Sequence, residues 1–175
     1  MPKFLLQVFV LALFQGCLDF EIARVATDKG TNFPPSIDKK YVSPPPSAFL
    51  RKVAIASNCK PLEFKIPPIR DFNKDDKLYY LWFFNGILLP PYQGVIEPEN
   101  RDRAIVTLTL DKQKIEDALG RSHLEPSFFE TSHVLEFVVG DRPYAIPSSR
   151  FFDDPTAHED SIHWSIWFTD TPCSL

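Results

Sequence analysis

Residues 77–89 read KLYYLWFFNGILL, and this stretch limits the fold more than any other part of the chain. Seven aromatic or branched residues run to Asn85-Gly86, a pair that tolerates positive φ at both positions and so favours a two-residue hairpin turn. A long aromatic strand that turns back on itself needs antiparallel neighbours. Further segments supply them. Residues 61–67 (PLEFKIP) alternate Leu62, Phe64 and Ile66 with Glu63 and Lys65, the period of a half-buried strand. Residues 103–110 (RAIVTLTL) alternate in the same way. Residues 51–57, 133–143 and 161–170 read as strands too, which makes seven with the two arms of the hairpin. Residues 111–120 (DKQKIEDALG) read as one short helix, capped by Asp111 and stopped by Gly120.

Proline accounts for 17 of 175 residues, about twice the usual share, and aromatic residues for 14%. That composition suits short strands joined by stiff loops better than a helical bundle. The expected fold is therefore all-β, an antiparallel sandwich of about seven strands with one short helix.

Two stretches carry a resemblance. DFNKDDKLYYLWFFNG (71–86) is similar to the Asp-rich loop, aromatic strand and turn of bacterial Ig-like and PKD-like domains. HVLEFVVGDR (133–142) resembles their later strand, which ends in an aspartate. The resemblance spans roughly residues 51–170 and implies an Ig-like sandwich over 51–175. Leu78, Tyr80 and Trp82 then face the core, opposite Leu135, Phe137 and Val139, with Trp164, Ile166 and Phe168 completing it. Residues 111–132 form a long insertion between the fifth and sixth strands. By the same alternation Tyr79, Leu81, Phe83, Val134, Val138 and Trp167 point outward. These six form a candidate interaction face, unless it is covered by the insertion (through Leu119, Leu124, Phe128 and Phe129) or by residues 18–50.

At the other end of the sequence, FLLQVFVLALF (4–14) follows Lys3 and stops before Gly16-Cys17. The run is shorter than the roughly 20 residues that span a bilayer, and it fits the apolar core of a secretory signal. The alternative is a buried element of the folded domain. Gly16-Cys17 resembles the lipobox of bacterial lipoproteins, where a small residue precedes the cysteine that is acylated and becomes the new N-terminus. Phe14 occupies the usual leucine position, and Leu13 stands one place further from the cysteine. The resemblance implies a signal over residues 1–16, a lipid on Cys17, and a membrane partner reached through that anchor. Leu18, rather than Asp, after the cysteine implies the outer membrane. Cleavage by ordinary signal peptidase, leaving a thiol at Cys17, is the alternative. Residues 17–50 contain NFPPSIDKK and SPPPS and no strand or helix period. They read as an extended tether, or as a segment packed on the domain through Phe20, Ile22, Phe33 and Tyr41.

Once Cys17 carries lipid, Cys59 and Cys173 remain. In an exported protein they are expected to pair. The Ig-like strand order agrees, because it places the start of the second strand and the end of the last at one pole. Two buried thiols are the alternative.

Chemistry is sparse. Asp71, Asn73, Asp75 and Asp76 lie in one loop with oxygens at nearly alternate positions, making them candidate calcium ligands. The loop is no EF-hand, since Asp76 and Trp82 stand where Gly and Glu are required. A solvated turn is the other reading. FFDDPTAHEDSIH (151–163) gathers Asp153, Asp154, His158, Glu159, Asp160 and His163, but its two histidines are five apart, off one helix face. The four histidines, His123, His133, His158 and His163, sit in no catalytic motif, no serine has a nucleophile elbow, and no cofactor is expected. Net charge is −4 with acids and bases mixed, which offers nucleic acid no basic patch. The expectation is a non-catalytic domain that binds another protein at the cell envelope. A carbohydrate-binding sandwich using exposed aromatics and a small hydrolase with an unrecognised site are the rivals.

Overall fold

The computed structural model describes residues 32–46, 48–56 and 58–173, except for the side chains of 52 and 90–92. Its strands are β1 (Leu50–Ala54), β2 (Leu62–Ile66), β3 (Leu78–Phe84), β4 (Ile87–Ile96), β5 (Val106–Leu110), β6 (His133–Gly140) and β7 (Glu159–Thr169). The helix α1 (Lys112–Leu119) follows β5. A five-stranded sheet has the order β1-β7-β6-β3-β4, and a two-stranded sheet pairs β2 with β5. The expected sandwich is the observed one, with one amendment. β1 runs parallel to β7, and every other neighbouring pair is antiparallel.

Local chemistry accounts for the element ends. Asn85 and Gly86 have φ of 49° and 77°, so both turn positions are left-handed, as the hairpin requires. Asp111 caps α1 by accepting from the Lys114 amide at 2.9 Å, and Gly120 closes it at φ 62°.

The core follows the alternation. Leu78, Trp82, Leu135, Phe137, Val139, Trp164, Ile166 and Phe168 are all buried. Tyr80 packs against them, partly buried. Antibody domains stack their strand-C tryptophan on a disulfide between B and F. Here Phe64 on β2 and Phe137 on β6 take that place, with ring centroids 6.4 Å and 4.8 Å from Trp82. The covalent bridge sits at the pole instead. Cys59 and Cys173 are bonded, with Cα atoms 5.1 Å apart.

The proline-rich segment departs from the tether expectation over the part that is described. Pro35, Ile37 and Val42 are buried. Ser36 bridges Arg70, and Ser43 bridges Lys65 on the edge of β2. The Trp164 indole donates to the Pro44 carbonyl at 2.7 Å. The chain then crosses to the other sheet as β1. Proline-rich chain is already extended, so it docks along a sheet edge with little further ordering cost. The anchors also differ. Tyr41 is exposed, and Phe33 packs edge-on against the exposed Phe72. Phe20, Ile22, Cys17 and the lipobox lie outside the described residues.

Candidate functional site

The Asp-rich loop between β2 and β3 is built around an internal cation. Asp71 Oδ1 accepts from the Asn73 amide at 2.8 Å, folding the loop on itself. Arg101 reaches in from the turn after β4. Its Nη1 donates to the Asn73 carbonyl and its Nη2 to the Lys74 carbonyl, both at 2.9 Å. Asp71 Oδ2 stands 3.7 Å from Nη1 and is buried without a hydrogen bond. The guanidinium thus holds the position that the calcium expectation reserved for a metal. Asp76 Oδ2 accepts from Arg142 at 2.9 Å and from the Asn73 side-chain amide at 3.2 Å, and Asp75 is exposed. Burial pushes the Asp71 carboxyl above its usual range, against the lowering influence of the Asn73 amide and Arg101.

The same pole gathers the N-terminal segment and the β6–β7 loop. Asn32 donates to Asp141 Oδ2 at 2.7 Å, and the His158 amide donates to Asp141 Oδ1 at 2.9 Å. Asp154 pairs with Arg142, and Asp160 accepts from the Ile37 amide. Asp154 and Asp160, with Asp141, thus hold backbone and guanidinium groups together. Among the described residues no group of three His, Cys, Asp or Glu is placed to hold a metal.

The outer sheet face is largely covered. Leu81, Phe83 and Val138 are buried as a second small cluster, with Leu88 and Tyr144 against them. Among the described residues the main cover comes neither from the 111–132 insertion, which meets this face where the Trp167 indole donates to the Phe129 carbonyl at 2.8 Å, nor from the proline-rich segment. It comes from the β6–β7 loop, which folds back over the sheet. Arg150 lies 4.8 Å above the Phe83 ring and pairs with Glu136. Tyr144 stacks on Phe152, whose ring crosses Gly140 so closely that a Cβ there would meet it at 2.7 Å. Tyr79 is half-buried, and only Val134 and Trp167 of the six stay exposed. Among the described residues, Trp167 is the one aromatic side chain of the six left exposed on this face.

The insertion closes the opposite pole of the core. Phe128 is buried between Phe84, Phe168 and His133, its ring 3.9 Å from the imidazole. Compared with known proteins, the chain matches no family model, no curated protein and no solved structure.

His133 is the one buried histidine among the described residues. It belongs to the inward set of β6 with Leu135, Phe137 and Val139, so the alternation itself pointed to it. Its Nε2 lies 2.7 Å from the Phe128 carbonyl and its Nδ1 2.9 Å from Asn85 Nδ2. The neutral ring with its proton on Nε2 satisfies both, because Nδ1 then accepts from the amide. Burial lowers its pKa below the usual value. A base whose folded pKa lies below its unfolded one takes up protons on unfolding, so stability falls as pH drops through about 6.5. The expected slope is up to about 1.4 kcal/mol per pH unit until the folded pKa is reached. Asp71 and Glu159, both raised by burial, act with the opposite sign closer to pH 4. Urea unfolding from pH 7.5 to 5 should show the loss in the native protein and a flatter profile in His133→Phe. Parallel profiles would exclude His133 as the cause.

Proposed function

We propose that this chain is a lipid-anchored, non-catalytic binding or structural domain of the bacterial cell envelope, held at the outer membrane and contacting another protein. One pairing of features carries the reading. An apolar run ends at Gly16-Cys17, and the other two cysteines are joined in a bridge. Disulfides persist in oxidising compartments outside the cytosol, which is where a lipobox sends a protein. Each buried methylene of an acyl chain adds about 0.8 kcal/mol, so several chains hold a folded domain without a spanning helix.

A binding role is supported by the side chains left exposed. Ile146 and Phe151 are each about half exposed where the β6–β7 loop pairs with itself, and Val95 is similarly exposed on edge strand β4. Loops at the ends of Ig-like sandwiches are their usual contact sites. The covered sheet face moves the candidate contact surface onto this loop and away from Leu81, Phe83 and Val138.

Mass spectrometry of the membrane-extracted protein should find an acylated cysteine at position 17 as the N-terminus. Cys17→Ser should move the protein into the soluble fraction. An unmodified Cys17, or a serine variant that stays on the membrane, would sink the anchor.

A further inference from the structure

At the pole opposite the Asp-rich loop, α1 and the connection between β1 and β2 border a half-open cavity of about 660 Å3. Small-molecule sites commonly measure about 300–1,000 Å3. One wall is apolar, made by Ile55, Pro61 and Leu110. The other is the side of α1 that carries Gln113 and Glu116. The helix divides its work between adjacent residues. Ile115 is in the core, fully buried, while Glu116 lines the cavity.

Glu116 is only 7% exposed, yet its carboxylate has no hydrogen-bond or ion-pair partner among the described residues. Carboxylates this buried are nearly always paired. Its oxygens are not sealed off, unlike Asp71 Oδ2, so the cavity is the space they open onto. The other charges of the lining have partners. Asp111 caps α1, Lys112 lies 3.5 Å from Asp170, and His123 lies 3.2 Å from Glu125. Lys60 is the exception. It is exposed, stands on the β1–β2 wall, and makes no ion pair among the described residues. The cavity therefore holds one unpaired carboxylate and one unpaired ammonium, on different walls and not joined to each other. Cys59 lies in the same wall as Lys60, and its bond to Cys173 fixes that wall in place.

We propose that this cavity binds a small zwitterion, with the cationic nitrogen at Glu116, the anionic group at Lys60 and a short aliphatic body against Ile55, Pro61 and Leu110. A simple cation leaves the unpaired Lys60 ammonium without a counter-charge and repelled by it, and a simple anion meets Glu116. A molecule carrying both charges complements both walls. The inference is independent of the lipid anchor, since it uses only the folded domain.

The test is an amide-shift titration of the disulfide-intact full chain with glycine, 4-aminobutanoate, 6-aminohexanoate, hexylamine and hexanoate. At least one zwitterion should give saturable shifts confined to residues 54–56, 60 and 111–116. It should bind about tenfold more tightly than hexylamine or hexanoate, the size of one charge-assisted contact. Glu116→Gln and Lys60→Gln should each remove that advantage. Lys60 is exposed, so its variant leaves the packing of α1 untouched and decides the matter even if Glu116→Gln disturbs the fold. Absence of saturable shifts at these residues, hexylamine or hexanoate binding as tightly as every zwitterion, or unchanged affinity in Lys60→Gln overturns the proposal.

Discussion

Reduction of the Cys59–Cys173 bridge is expected to lower the unfolding free energy by about 4–5 kcal/mol, the chain-entropy value for a loop of roughly 100 residues. The bridge spans a sequence separation of 114 and encloses β2 to β7, nearly the whole sandwich. It also ties the approach to β2, in the two-stranded sheet, to the exit of β7, in the five-stranded one. The unfolded chain therefore loses most when it is cross-linked there. Local contacts at the pole survive reduction only in part. Asn58 Nδ2 donates to the Cys173 carbonyl at 2.8 Å, but in an exposed position. Urea unfolding with and without reductant measures the difference, and a fall in Tm of roughly 10–20 °C should accompany it. Cys173→Ser should reproduce the reduced midpoint. An unchanged midpoint on reduction would show that the pole is held by packing alone.

The parts of this molecule that could be read from the sequence are those with a period or a local signature. Alternation placed Leu78, Trp82, Leu135, Phe137, Val139, Trp164, Ile166 and Phe168 in the core, because a strand with one buried face has no other way to arrange them. Asn85-Gly86, Asp111 and Gly120 marked the hairpin and the helix ends through backbone angles and caps that few residues satisfy. What covers the outer face was not legible, for a different reason. Leu81, Phe83 and Val138 do point away from the core, as alternation says, but a loop without any period lies over them. Nothing local in residues 141–152 says that Tyr144 and Phe152 will cross Gly140. The proline-rich segment shows the same limit. Proline favours extended backbone both in a free spacer and in a chain lying along β2, and the long-range contacts of Ile37, Val42 and Pro44 are what separate the two.

Arg101 was invisible for the strongest reason. It lies in the polar run EPENRDR, where a guanidinium normally sits in water, yet its side chain is only 6% exposed. Replacing it with leucine should cost about 3–5 kcal/mol, the usual penalty for removing one partner of a buried pair. The carbonyls of Asn73 and Lys74 would lose their donor, and the buried Asp71 carboxylate would lose the only positive charge within 4 Å among the described residues. The pH dependence identifies the mechanism. Burial already raises the folded pKa of Asp71 above its unfolded value, and Arg101 opposes that rise. Without Arg101 the folded pKa climbs further. A carboxyl with a raised folded pKa is most favourable to folding below its unfolded pKa of about 3.9 and loses that contribution as pH rises through the folded one. The penalty in Arg101→Leu should therefore grow from pH 4 towards neutrality. Asp71→Asn in the same chain should remove the growth, because a neutral amide has no charge to leave unpaired. A penalty that is equal at pH 4 and pH 7, or one that the double variant leaves unchanged at neutral pH, would assign the loss to packing of the arginine side chain instead of to its charge.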